Sequence, residues 1–273
     1  MKKIIAILLA AMMLLGCVAC GETEKDENKN AVQTPTAGAT EQATEAPDET
    51  EKPVIKMATN AYFQPYEFYE GDKIVGIDAE IAAAIAEKLG MELVIEDMAF
   101  DSIITAVKEG SVDFGMAGMT VNPDRQKEVD FSTSYANGVQ AIIVPEDSAI
   151  TTVDDLYADG AAYKVGVQLG TTGDTYSTDD FGKELVTQYA NGNEAVMALK
   201  GGSVDCVIID NEPAKALVAA NAGLKILETS YADEDYAICV KKGNTELLDK
   251  INTAIDELTT EGKIDEIISK YIK

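Results

Sequence analysis

From Val54 onward the chain alternates short apolar runs with amphipathic stretches of helical period, most of them closed by glycine or flanked by acidic turn residues. Val54 to Thr59 predicts a strand, Ala79 to Leu89 a helix ended by Gly90, Glu92 to Asp97 a strand, Asp101 to Glu109 a helix ended by Gly110, and Phe114 to Met119 a strand. The second half repeats this style. Lys164 to Val167 predicts a strand, followed by a glycine-rich turn and a helix from about Phe181, then a strand near Glu184 to Tyr189. Asn193 to Lys200 reads as a helix, Asp205 to Ile209 as a strand and Glu212 to Ala220 as a helix. The implied class is α/β with mainly parallel sheet.

Two further β-like segments, Gln140 to Val144 and Tyr236 to Val240, bracket the second half. A chain that crosses at the first and returns at the second makes two α/β lobes joined by two hinge strands. Lobe 1 is then residues 54–141 plus 236–273, and lobe 2 is residues 142–235. Helices over Leu247 to Thr259 and Ile264 to Tyr271 carry an apolar stripe at Leu247, Leu248, Ile251, Ile255 and Leu258 suited to packing on lobe 1. The alternative on these signals is a single doubly wound domain with a hairpin.

Ahead of this module the pattern changes. Met1-Lys2-Lys3 precedes an apolar run from Ile4 to Leu15, an export signal too short for a spanning helix of about 20 residues. Leu14-Leu15-Gly16-Cys17-Val18-Ala19-Cys20-Gly21 follows and resembles a bacterial lipobox, in which Cys17 or Cys20 would become the lipidated first residue after cleavage, residues 1–20 being the lipoprotein signal region. Cys17 has the better preceding residues; Cys20 has Ala before it and Gly after it. A soluble secreted protein whose leader contains cysteine is the alternative. Residues 21–53 are rich in Thr, Ala, Glu, Gln, Pro and Gly, and read as a disordered tether because they bury too little apolar surface to offset their ordering entropy. The expected location is the outer face of the cell membrane, held by lipid.

The 273 residues hold 48 Asp and Glu against 22 Lys and Arg, a net charge of −26 at neutral pH, which removes nucleic acid from the expected partners. Absence of His removes imidazole triads and the commonest zinc ligand. No metal site, cofactor or catalytic residue is predicted. Of four cysteines, Cys206 and Cys239 remain beyond the leader, in apolar strand contexts that favour two buried free thiols over a disulfide.

Candidate chemistry gathers in four places. Ala117-Gly118-Met119-Thr120-Val121-Asn122-Pro123-Asp124-Arg125 is a strand ending in a polar turn, where open α/β sheets meet ligands. There Thr120 offers a hydroxyl and Arg125 two forked donors for a carboxylate, unless Arg125 only pairs with Asp124 or Glu128 at the surface. Gln168-Leu169-Gly170-Thr171-Thr172-Gly173 can turn backbone N–H groups and hydroxyls toward an anion, or be a plain strand-to-helix turn. Asp210, ending an apolar strand, can receive an ammonium group or cap the next helix. Tyr62, Phe63, Tyr66, Phe68 and Phe100 can wall a ligand or fill a core. A carboxylate receptor, an ammonium receptor and aromatic walls complement an α-amino acid.

The same residues carry a family resemblance. Ala58-Thr59-Asn60 through Phe63-Gln64-Pro65-Tyr66-Glu67-Phe68, Val75-Gly76-Ile77-Asp78, Ala117-Gly118-Met119-Thr120 through Arg125 to Val129-Asp130-Phe131-Ser132, and Val165-Gly166-Val167 through Gly170-Thr171-Thr172 resemble the polar amino-acid family of substrate-binding proteins of ABC importers. The resemblance implies a type II periplasmic-binding-protein-like fold, monomeric, closing on its ligand and serving an ABC permease with its ATPase subunits. It implies Arg125 as the α-carboxylate clamp with backbone donors of Thr120 and Thr172. It further implies Asp210 as the α-ammonium partner, helped by the Gly118 carbonyl and the Thr120 hydroxyl, with Phe63 and Phe100 stacking on the ligand side chain. Asn60 stands where binders of glutamine and cationic amino acids carry Asp, and Gln168 where the glutamine binder has Lys. These two amides favour a neutral polar amino acid. A similar fold also serves cyclohexadienyl and arogenate dehydratases, which makes an enzyme of that kind the alternative.

Overall fold

Two long strands organise the molecule in the computed structural model, which describes residues 52–272. The leader, both of its cysteines and nearly all of the expected tether lie outside the described residues. Lobe 1 begins with β1 (Val54–Thr59), which is followed by a small antiparallel sheet of β2 (Tyr62–Phe63), β3 (Glu67–Glu70) and β4 (Lys73–Val75). Then come α1 (Ile77–Lys88), β5 (Glu92–Asp97), α2 (Phe100–Glu109), β6 (Phe114–Gly115) and α3 (Pro123–Glu128). The first long strand, β7 (Val129–Pro145), carries the chain across.

Beyond it lie a 3₁₀ turn at Val153–Tyr157, β8 (Val165–Gln168), α4 (Thr172–Phe181), β9 (Val186–Tyr189), α5 (Gly192–Lys200), β10 (Cys206–Asp210), α6 (Asn211–Ala220) and β11 (Leu224–Ile226). The second long strand, β12 (Ala232–Lys241), returns the chain to α7 (Thr245–Thr260) and α8 (Lys263–Tyr271). A nine-stranded sheet runs β5-β1-β6-β12-β7-β10-β8-β9, with β11 also on β7. The strands are parallel at both ends and antiparallel around β12 and β7. β7 pairs with β12 over most of its length and then with β10 through Gln140 to Ile143, so each half of the sheet is completed by the same strand. This antiparallel centre replaces the doubly wound alternative.

Most predicted elements are present within a residue or two. The stripe on α7 packs as expected, with Ile251, Ile255 and Leu258 buried. Two expectations are corrected. The helix expected to begin at about Phe181 ends there: it starts at Thr172, because the Thr171 hydroxyl accepts from the Asp174 N–H at 3.2 Å, and Gly182 stops it at φ 85°. The strand expected over Phe114 to Met119 is confined to Phe114–Gly115; Gly118, at φ 52°, bends the chain into a turn. Cys206 and Cys239 are free and buried, as their strands suggest. Among the described residues no helix is long and apolar enough to cross a membrane.

Candidate functional site

Ten residues singled out in the sequence line one pocket: Asn60, Phe63, Phe100, Gly118, Thr120, Arg125, Gln168, Thr171, Thr172 and Asp210; of the other candidate aromatic walls, Tyr62 and Phe68 border a different cavity and Tyr66 lies behind Phe63. Both lobes contribute. The turn after β6 is held from beneath by Asp78 of α1, whose Oδ2 accepts from the Gly118 N–H and from the Tyr135 hydroxyl, both at 2.8 Å. A side chain at Gly118 would meet the Phe63 ring at 2.7 Å, so glycine here permits both the left-handed turn and the packing of the aromatic wall.

Arg125 is positioned by local sequence. Asn122 caps α3 by accepting the Arg125 N–H at 2.8 Å, and Pro123 stands at the first helical position, where its missing N–H costs nothing. The guanidinium turns inward, donating from Nη1 to the Thr120 carbonyl at 2.7 Å and from Nη2 to the Gly170 carbonyl at 3.1 Å. Phe100 lies 5.3 Å from it, ring face toward the charge. The surface-pair alternative does not occur: Asp124 takes Lys127 and Glu128 takes Lys108, while Arg125 is buried.

Next to the guanidinium stands the first turn of α4. Of its leading N–H groups, that of Thr171 goes to the Gln168 carbonyl at 3.3 Å and that of Asp174 to the Thr171 hydroxyl; Thr171 and Thr172 line the pocket, where a helix N-terminus suits an anion. Close approach of the lobes is built into the loop before it: Gly170 has φ 78°, and a Cβ there would lie 2.9 Å from that of Asp101. Gln168 donates to the Asn60 carbonyl oxygen at 2.9 Å, and Asn60 donates to the Met98 carbonyl at 2.8 Å, so the two amides form a bridge between lobes.

Asp210 ends β10 at the N-cap position of α6 without capping it. Its Oδ2 instead accepts from Gln140 Nε2 at 2.7 Å, while Oδ1 has no partner among the described residues. Burial pushes its pKa well up from the ordinary carboxylate range, and the charge of Glu234 adds to the rise. Tyr66 supports Phe63, at 5.7 Å between ring centres, and stacks edge-on against Tyr236.

Two carboxylates escaped the sequence reading. Glu67 lines the pocket fully buried, and burial, the charge of Asp78 and a hydrogen bond to the Asp78 carboxylate hold its pKa well above the usual range. Glu234 on β12 is buried beside Asp210 and accepts from the Thr120 hydroxyl at 2.9 Å. Their local signal is weak: Glu67 lies inside an aromatic run, and Glu234 is the middle of the acidic run Asp233-Glu234-Asp235, which resembles any solvated stretch.

One pocket is therefore lined by both a buried arginine and a buried aspartate, with residues from before and after β7. The chain belongs to the bacterial extracellular solute-binding proteins, family 3, which it matches over residues 55–273. It is 31 % identical to the arginine-binding extracellular protein ArtP of Bacillus subtilis (strain 168), over 99 % of this chain and 98 % of that protein. It is 29 % identical to the ABC transporter glutamine-binding protein GlnH of the same organism, over 100 % of this chain and 98 % of that protein. Among solved structures it is similar to an ancestral arginine-binding protein bound to arginine, at 40 % identity and TM-score 0.75, covering 81 % of this chain and 99 % of that one. The fold is the type II periplasmic-binding-protein-like fold expected from the sequence, and the protein is an amino-acid-binding component of the ABC transporter family rather than an enzyme.

Proposed function

We propose that this protein captures a polar L-amino acid outside the cytoplasm and delivers it to an ABC permease with its ATPase subunits. One observation carries the reading: Arg125 with the α4 N-terminus on one side and Asp210 on the other border a single pocket walled by Phe63 and Phe100. The α-carboxylate takes forked bonds from Arg125 and backbone donors of Thr120 and Thr172; the α-ammonium takes Asp210, the Gly118 carbonyl and the Thr120 hydroxyl. Such charge-assisted bonds are about twice as strong as neutral ones. Residues 54–141 with 236–273 move against residues 142–235 about β7 and β12, enclosing the ligand. The protein acts as a monomer, tethered by residues 21–53 and by lipid on Cys17 or Cys20 to the outer face of the cell membrane.

For the ligand side chain, Asn60 and Gln168 favour a neutral polar group such as the glutamine amide. Glu67 favours a second reading, a cationic side chain, because a guanidinium or ammonium entering the pocket would pair with this buried carboxyl and offset the cost of ionising it. The dehydratase alternative is not favoured, since the relatives matched over nearly the whole chain are named as binding proteins.

Calorimetric titration with the standard amino acids and cystine tests the reading. Heat and a raised melting temperature with a polar amino acid are expected, and no response to any of them would refute it. Glu67→Gln separates the two side-chain readings: it should weaken arginine relative to glutamine if the cation is read there, and leave the ratio unchanged if the ligand is neutral.

A further inference from the structure

The ammonium end of the pocket carries one carboxylate more than a single ammonium group requires. Asp210 of β10 and Glu234 of β12 are both buried, and each keeps one oxygen, Oδ1 and Oε1, without a partner among the described residues. Between them the side-chain nitrogen of Gln140, on β7, donates to both, at 2.7 Å to Asp210 and 2.9 Å to Glu234. That amide has two N–H groups and both are spent. The Thr120 hydroxyl supplies Glu234 with one more donor.

The charged and titratable groups facing this pair are Arg125 of α3, Tyr66 and Glu67 at the small sheet, Tyr176 of α4 and Glu212 of α6, with Cys239 of β12 beside Arg125. Arg125 is their one cation, and an incoming α-carboxylate claims it. Two like charges held this close in a buried site cannot both ionise without a cation between them.

We propose that Glu234 is a second carboxylate of the ammonium receptor, and that the Asp210–Glu234 pair shares one proton until the ammonium group of an amino acid replaces it, so that each capture releases one proton. The carboxyl O–H gives its proton to solvent, the ammonium keeps its own three, and the pair's second negative charge is balanced by the ligand's positive one. Burial already drives Asp210 toward its protonated form, in keeping with this. Because Gln140 and Glu234 lie on the two linking strands, the proton leaves from between the hinges. The inference rests on the amino-acid reading above.

The test uses the purified protein titrated with L-glutamine and with L-arginine in buffers of contrasting ionisation enthalpy, from about pH 5 to 8. Release of about one proton per amino acid is expected, with affinity falling about tenfold per pH unit on acidification below the pair's apparent pKa. Glu234→Gln keeps the shape and the acceptor for Thr120, and it should abolish the release and flatten the pH profile. Glu67→Gln should retain the release with glutamine, which separates this pair from the Glu67–Asp78 carboxyls. Heat that is independent of buffer in the unaltered protein, or release undiminished in Glu234→Gln, overturns the inference and leaves amino-acid binding standing. Should Glu234→Gln fail to fold, the proton count and pH slope of the unaltered protein still decide. No heat with these two probes or with any other standard amino acid or cystine would remove the amino-acid reading and the inference with it.

Discussion

Replacing Arg125 tests the site at its most exposed assumption. The guanidinium is buried, anchored by the carbonyls of Thr120 and Gly170, and backed by Phe100, so its remaining donors are aimed before any ligand arrives. Each charge-assisted hydrogen bond to a carboxylate contributes about 1.5–3 kcal/mol, and Arg125→Ala removes two. The loss of about 3–6 kcal/mol corresponds to roughly 10²–10⁴ in Kd. Arg125→Lys keeps the charge but presents a point donor instead of a fork, and should lose about half of that free energy. Titration calorimetry with the preferred amino acid reads Kd, and thermal melts of the same samples read folding, since the two freed carbonyls also lose donors. A normally melting Arg125→Ala with Kd within about threefold of the unaltered protein would refute the carboxylate clamp.

Other consequences follow from the same geometry. Gly118→Ala drives a Cβ into the Phe63 ring and strains a left-handed residue; it should cost about 1–3 kcal/mol and weaken binding, read by melts and titration. Burial pushes the thiols of Cys206 and Cys239 up to about 12, so at pH 8 neither should react with iodoacetamide until urea unfolds the chain; rapid labelling mapped to either peptide would contradict this. Burial also pushes Asp78 up to about 6 from 3.8. The folded state then holds that proton more tightly than the unfolded one, so the contribution is full below about pH 4 and is lost as pH rises through 6, on the order of 3 kcal/mol. Asp78→Asn should flatten this part of the stability profile, and identical profiles from pH 4 to 7 would exclude Asp78 as the cause.

The sequence made the frame legible because β1, β5 and β10 are apolar runs bounded by clear breakers, and because glycines at 90 and 110 end their helices in left-handed turns. The small sheet β2–β4 was not legible: its strands are two to four residues long, below the length at which alternation can be read. α4 was misplaced because Thr172 to Phe181 has almost no apolar stripe, its start being set by one hydroxyl. At the site, Arg125 stood out as a scarce residue type at a strand end. Glu67 and Glu234 did not, since in a chain with 48 acidic residues burial alone distinguishes them, and burial of a carboxylate arises from tertiary packing rather than local pattern.

The placement of β12 also governs the order in which the molecule is made. β6 has β1 on one edge, and its other edge is closed by Val240 and Cys239. The strands β1 and β6 thus leave a sheet edge open until nearly the whole chain exists, whereas β8, β9, β10 and β11 find their partners within a continuous stretch that begins with β7. Contacts of long sequence separation form late because their loops are costly to close. The leading half therefore cannot complete its sheet before the trailing strand arrives, and its folding is tied to the last third of the chain.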